Sequence, residues 1–390
     1  MKLLFTVLKK KYGHYFPAAF FLSGFCFDIA TSEGLEHTAT LIQHTLFLLF
    51  IAGLLILEIY FSEKSIPEDQ AADFLINSDE SNADILSESH IPLTREKSFI
   101  ERQVERFGSE VLHFLLGGLL SSYFILFYKS ASLANSVILI FILCILLVAN
   151  EFPKFQALGR FLRLSLFCIC TICYFSCLLP TLWNHLGWST FLASTFLSLS
   201  CMAYFTYILH RSIPTFWSLH KLRVLVPVLS IHLLFVLAYV FKVIPPVPLS
   251  VQQIGIYHHV EKKEGKYYLT HYKSPWRFWE RGDQQFYAEE GEAIYCFIRV
   301  FSPANFGDKL MLRWLHKNKS GEWVTWDKIP IAVRGGRKKG FRGYAYKRNY
   351  QEGQWQIRVE SSDEREISRI YLNVMPEEDR ANRVVKLDVQ

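Results

Sequence analysis

Four cysteines stand close together at Cys168, Cys170, Cys173 and Cys177. On a helix Cys170, Cys173 and Cys177 share one face, because residues three and four apart are neighbours there. Thiolates so arranged bind soft metals or exchange electrons. No charged side chain lies between Cys168 and Cys177 to favour a thiolate, so packing of small sulfur side chains between helices is the preferred reading. No metal or cofactor is expected. Three histidines, His44, His113 and His232, sit inside apolar runs. Ionisable groups in lipid mark proton relays or polar substrate paths. Hydrogen bonds between helices account for them more simply. Asp28, Glu58 and Glu110 lie near the ends of such runs, within reach of an interface. Gly117-Gly118 followed by Ser121-Ser122 favours close helix packing. A nucleophilic serine there would need a base on a neighbouring helix, since His113 lies about two turns earlier on the same one.

A second group of residues is strongly basic. Arg334, Arg337, Lys338, Lys339 and Arg342 are interleaved with Gly335, Gly336, Gly340 and Gly343. Guanidinium groups and exposed amides suit phosphate or carboxylate. No Gly-Lys-Ser or Gly-Lys-Thr occurs there, so it is no nucleotide-binding loop. Anionic lipid head groups are the natural ligand beside a membrane, and nucleic acid is not expected. Six tryptophans, Trp276, Trp279, Trp314, Trp323, Trp326 and Trp355, could stack sugars. Most alternate in strand-like runs, which favours core packing, whereas Trp276 and Trp279 suit a membrane interface.

The elements that carry these groups are of two kinds. The 390-residue chain is 51% hydrophobic and 16% aromatic. The long apolar runs fall within residues 14–248, and residues 250–390 have the composition of a soluble domain. A membrane helix needs about 20 apolar residues. Seven runs approach that length: Tyr15–Ala30, Ala39–Phe61, Val111–Tyr128, Leu133–Val148, Phe161–Leu179, Thr190–Leu209 and Leu222–Phe241. The first comes after Lys2, Lys9, Lys10 and Lys11 like a signal peptide, but Asp28 stands where a small residue is needed, so it reads as an uncleaved span. With the N-terminus inside, fifteen Lys and Arg flank the inner connections against Lys129 alone outside. That orientation and the odd span count put residues 251–390 outside; in a two-membrane bacterium the bundle would then lie in the inner membrane, the N-terminus in the cytoplasm and the C-terminal domain in the periplasm.

Between the second and third spans, residues 62–110 carry twelve acidic against five basic side chains. Ser65–Ser89 is expected to be disordered. Ile100, Val104, Phe107 and Val111 form a helical stripe suited to a membrane surface. After the last span, Ile244-Pro245-Pro246-Val247-Pro248 reads as a stiff, extended linker. Beyond it the period becomes two. Strands are expected at Ile254–Val260, Lys266–Tyr272, Ala293–Phe301, Lys309–His316, Trp323–Trp326, Ile329–Val333, Phe341–Tyr346, Gln354–Val359 and Ile367–Val374. Short strands at this spacing indicate an all-β, immunoglobulin-like sandwich of about 140 residues. Cys296 has no cysteine partner there, so the domain relies on its core.

Leu312-Arg313-Trp314-Leu315-His316, Gly321-Glu322-Trp323, Gly353-Gln354-Trp355-Gln356-Ile357-Arg358-Val359 and Ile370-Tyr371-Leu372-Asn373-Val374 together resemble the "domain of unknown function 2914" family. The helical half is similar to the multi-pass proteins that carry this domain, through Phe21–Asp28, Ser121–Phe124, Phe127–Ser132 and Val148–Phe152. The resemblance implies a membrane bundle with a C-terminal β domain and assigns no activity or site residues. The leading reading is a non-enzymatic envelope protein displaying a sandwich that binds an envelope protein or anionic lipid. A transporter or lipid-handling protein is the alternative, and an intramembrane enzyme the last. Few polar groups gather within the spans, and spans 1–3 show no repeat in spans 5–7.

Overall fold

The computed structural model describes residues 23, 38–64, 98–130, 141–142, 145, 159–272, 276–277, 279–289, 291–302, 309–332, 340–376 and 384–390. Helices come first: α1 (Thr38–Lys64), α2 (Phe99–Ser130), α3 (Gly159–Trp183), α4 (Trp188–Ser212) and α5 (Pro214–Val240). Each is long and apolar enough to cross a membrane, so the described residues hold five spans, not the seven expected. The expected first span, Tyr15–Ala30, and fourth, Leu133–Val148, lie outside the described residues except for Ser23, Phe141, Ile142 and Ile145. Most of the acidic connection, residues 65–97, lies outside them as well.

The helical stripe expected ahead of the third span is the first part of α2, which runs on into that span unbroken for 32 residues. Its start is capped: the Ser98 backbone amide donates to Glu101 Oε2 at 3.4 Å, half of a capping box. Helix α3 is central and packs against the other four. It passes through Pro180 to Trp183 rather than stopping there. Proline in the last turn removes only one hydrogen bond. Helix α5 begins on Pro214, where a missing amide costs nothing.

Basic residues mark one end of the bundle. Arg223 near the start of α5 lies 5.8 Å from the Phe161 ring, and Arg160 near the start of α3 lies 5.6 Å from the Phe216 ring. The β domain sits at the opposite end, where α3 and α5 finish.

That domain holds β1 (Ser250–Tyr257), β2 (His259–Lys263), β3 (Lys266–His271), β4 (Gln285–Ala288), β5 (Ile294–Phe301), β6 (Lys309–Lys317), β7 (Trp323–Ala332), β8 (Phe341–Lys347), β9 (Gly353–Glu360), β10 (Glu366–Pro376) and β11 (Lys386–Val389). One sheet has the order β1-β5-β8 and another β4-β10-β9-β6-β7. Their inner faces share one core, with Ile256, Cys296, Ile298 and Val300 from the first meeting Leu312, Trp314, Trp355 and Ile357 from the second. This is a sandwich. A third sheet, β11-β3-β2, holds a hairpin of β2 and β3. Glu264 (φ 48°) and Gly265 (φ 76°) give it the left-handed pair that a two-residue turn needs.

Three strand expectations change. Ile254–Val260 is two strands that break at His258 and enter different sheets. Trp323–Trp326 and Ile329–Val333 merge into β7, whose edge position tolerates the missing amide of Pro330. Strands β4 and β11, each four residues, were too short to read from alternation.

The proline stretch is not an extended spacer. Residues 244–249 are buried, Val243 before them only partly so. Val247 N donates to Pro245 O at 2.9 Å and Leu249 N to Pro246 O at 3.0 Å, so the chain turns twice. Ile244 and Val247 belong to the bundle core, and Leu249 belongs to the sandwich core.

Candidate functional site

Two of the histidines inside the bundle, His44 and His232, are paired with serines. His44 on α1 lies with Nε2 3.2 Å from Ser122 Oγ on α2 and meets the Tyr123 ring edge-on at 5.5 Å. His232 on α5 has Nε2 3.1 Å from Ser198 Oγ on α4. Its Nδ1 lies 2.8 Å from the Val228 carbonyl and 3.8 Å from Cys168 Sγ on α3. The carbonyl can only accept, so Nδ1 carries the proton and Nε2 receives the Ser198 hydroxyl proton. This is the orientation a general base takes toward a nucleophile. All four side chains are buried, however, and the two pairs join different helices. His113 is buried on α2, as is Glu110 one turn before it. His44 and His232 thus tie helix to helix, the plainer of the two sequence readings.

Such bonds are worth about 0.6 kcal/mol on average in membranes. A double-mutant cycle with His232→Leu and Ser198→Ala should give a coupling of about that size by thermal unfolding in detergent. Coupling near zero would leave the pair without a structural role.

The four cysteines of α3 are all buried free thiols. They lie on the helix that packs against each of the other four described helices, where small side chains allow close approach.

Two further polar groupings were not brought together by the sequence, although Glu58 was noted there near the end of a span. The first is at the basic end of the bundle, where Arg163 on α3 pairs with Glu58 on α1. Its Nη1 is also 3.5 Å from Ser109 Oγ on α2. One turn closer to the end, Arg160 donates to Glu63 at 3.4 Å and Ser62 at 3.1 Å.

The second is the junction between bundle and sandwich. The turn between β9 and β10 carries Asp363, Glu364 and Arg365. The Arg365 guanidinium lies flat on Tyr239, with its carbon 3.2 Å from the ring centroid. Tyr239, one residue before the end of α5, is itself stacked on Phe191 at 3.6 Å and edge-on to Trp188 at 4.7 Å. Arg365 Nε is 2.8 Å from Asp363 Oδ2, and Nη1 donates to the Ile244 carbonyl at 3.2 Å. Burial lowers this guanidinium to about 9, still charged at neutral pH. Glu364 meets Lys328 at 2.9 Å, Arg313 at 3.4 Å and Lys242 at 3.7 Å, the last from the end of α5. Its carboxyl is held below the usual range, chiefly by Lys328. A cavity of about 30 Å³ lies beneath, lined by Ser176, Thr190, Ser194, Tyr239 and Asp363, room for roughly one water.

Of the expected basic loop, Arg334, Arg337, Lys338 and Lys339 lie outside the described residues. Arg342 is described, and it is engaged: Nη2 donates to the Gly265 carbonyl at 3.2 Å, and the guanidinium sits 5.4 Å from the Tyr267 ring. The loop's two ends are placed. Ala332 pairs with Lys309, and Phe341 pairs with Val300, beside the Ser250–Phe301 pair at the exit of the buried linker. Both ends therefore lie on the side of the sandwich that faces the bundle. Arg342 brings the tip of the β2–β3 hairpin there too, with exposed Lys263 and Lys266, neither of which sequence reasoning grouped with the basic loop.

The tryptophans divide as their alternation implies only in part. Trp314 and Trp355 are core. Trp276 and Trp279 are exposed. Trp323 is half-buried and faces Tyr371 on the outer side of the five-stranded sheet, 5.8 Å between ring centroids.

Comparison with known proteins gives the β domain a family. Residues 307–374 match the family described as "Protein of unknown function (DUF2914)", so the chain carries that domain in its C-terminal part, from the start of β6 into β10. No curated protein matches the chain. Among solved structures, an immunoglobulin-like protein from Pseudomonas aeruginosa is similar, with 12% identity over 33% of this chain and 98% of that one, at a TM-score of 0.21. An alkylpurine DNA glycosylase AlkC from Pseudomonas fluorescens, bound to DNA with an abasic-site analogue, is similar at 11% identity over 71% of this chain and 82% of that one, with a TM-score of 0.18.

Proposed function

We propose that this DUF2914-bearing, multi-pass membrane protein is a non-enzymatic envelope component that holds its β-sandwich in one fixed pose on the outer membrane face. There the sandwich engages anionic lipid head groups. The observation that carries the reading is the junction: Arg365 lies on Tyr239, the linker is buried, and both ends of the basic loop lie on the bundle-facing side. A sandwich fixed this way keeps the two placed ends of the basic loop, Ala332 and Phe341, on the side next to the head groups. Electrostatic attraction there amounts to about 1 kcal/mol per basic residue. The excess of Lys and Arg at the opposite end of the bundle supports an inner membrane location with the N-terminus in the cytoplasm and the sandwich in the periplasm.

The test uses the full chain in nanodiscs of zwitterionic lipid, with and without added phosphatidylglycerol. Amide exchange in residues 333–342 should slow with the anionic lipid. Joint substitution of Arg337, Lys338 and Lys339 by Ala should abolish the difference. Equal exchange in both lipids would refute the lipid assignment. A reporter active only in the periplasm, fused after Gln390, should be active, and an inactive fusion would overturn the orientation.

A further inference from the structure

The far end of the sandwich carries a second surface of different chemistry. Strand register shows where it is. Glu360 and Glu366 flank the turn at the bundle, so Gly353 and Val374, paired at the other end of β9 and β10, point away from it. In the same way Ala332 of β7 is near the bundle and Trp323, at the opposite end of that ten-residue strand, is far from it. At about 3.3 Å per residue the separation is roughly 30 Å.

Across that far end, register aligns Gln285 with Asn373, Asn373 with Gln354, and Lys317 with Trp323. Gln354 and Lys317 join the two halves, with Lys317 Nζ 3.1 Å from Gln354 Oε1. Tyr371 stands beside this row, 49% exposed, and its ring meets Trp323 at 53°. The two rings and the amides of Gln284, Gln354 and Asn373 line an open hollow of about 450 Å³. That is within the range of small-ligand sites.

The chemistry is specific. Two tilted aromatic rings offer flat apolar faces. Three primary amides offer paired donors and acceptors. The Lys317 bond occupies the Gln354 amide oxygen and leaves its NH2 donors to other partners. Tyr371 Oη accepts from Arg369 Nη1 at 3.3 Å, which leaves its own proton to donate outward. The lining carries no carboxylate among the described residues. A ligand that matches has apolar C–H faces for the rings and a rim of hydroxyl or acetamido groups for the amides. We infer that this hollow binds a neutral glycan, taking one or two pyranose units of a longer chain.

The inference rests on the outward placement of the sandwich, but its site is separate from the lipid-facing loop. Its test is therefore separate as well. The full chain, held in a zwitterionic detergent without a sugar head group, would be titrated with chitotriose, cellotriose and maltotriose. Saturation-transfer NMR and tryptophan fluorescence would report binding. At least one trisaccharide should bind saturably. Trp323→Ala and Tyr371→Ala should each weaken it by about tenfold or more, as should Gln354→Leu. Trp276→Ala, at an exposed tryptophan outside the hollow, should leave it unchanged. Both aromatic positions are on the surface, and an unaltered circular dichroism spectrum would show that the fold is kept. If no trisaccharide binds, or if the substitutions leave binding intact, the inference is wrong. The first outcome is also the one expected if this face docks a protein. Slowed exchange of residues 333–342 by anionic lipid would survive either failure, so the two readings can fall independently.

Discussion

Arg365→Leu should release the sandwich from the bundle while leaving each of them folded. The arginine does three things at once: it covers the Tyr239 ring, pairs with Asp363 at 2.8 Å and caps the Ile244 carbonyl at 3.2 Å. Both members of the ion pair are largely buried, with side-chain exposures of 6% and 14%. Removing one leaves the Asp363 carboxylate without its cation, which costs about 3–5 kcal/mol for buried pairs. Amide exchange at Val247 and Leu249 should then accelerate by two to three orders of magnitude, roughly what that energy corresponds to. Sandwich core amides such as those of Ile357 and Leu312 should keep their protection. Arg365→Lys should fall between, because lysine keeps the charge but has no planar face and one fewer direction of donation. Adding Asp363→Asn to Arg365→Leu should recover part of the loss by removing the stranded charge. Linker protection unchanged by Arg365→Leu would show that the proline stretch, not the arginine, holds the domains together.

Arg163→Leu should be comparably damaging at the other end of the molecule. Arg163 and Glu58 join α3 to α1, with side chains 11% and 26% exposed. Leucine would strand Glu58 at the edge of the hydrocarbon, again at a cost of about 3–5 kcal/mol. Yield in the membrane and thermal stability in detergent should both fall. Glu58→Leu combined with Arg163→Leu should restore both, which would trace the damage to the stranded carboxylate, since two apolar residues of similar size replace a buried ion pair at little net cost. If the double variant is stable and the single variant is too, the ion pair does not hold these helices.

How much of the fold the sequence made legible depends on how each signal is encoded. The five described spans were readable because hydropathy is a property of contiguous residues. The sandwich was readable because alternation persists along β5, β6 and β9. The partners of His44 and His232 were not, because Ser122 lies 78 residues from the first and Ser198 lies 34 from the second. The junction was invisible for another reason. In Asp363-Glu364-Arg365 the charges look like any solvated turn, and only docking against α5 gives Arg365 a ring to cover. The hollow at the far end escaped notice because Trp323 and Tyr371 sit on separate strands and each fits an alternating pattern alone. The proline stretch misled outright: its composition implies a spacer, but Ile244, Val247 and Leu249 supply enough apolar surface to bury it.

The buried linker, the Arg365–Tyr239 clamp and the Glu364–Lys242 pair make the sandwich a rigid arm pinned at one end. Its length from the clamp is roughly 30 Å, several times the width of the Arg365–Tyr239 contact. A sideways pull at the Trp323 end therefore arrives at Tyr239 magnified by leverage. Tyr239 lies on α5, and two turns deeper the same helix holds His232 against Ser198 and against Cys168 of the central helix. A pull on the tip would thus be delivered as torque to the middle of the bundle.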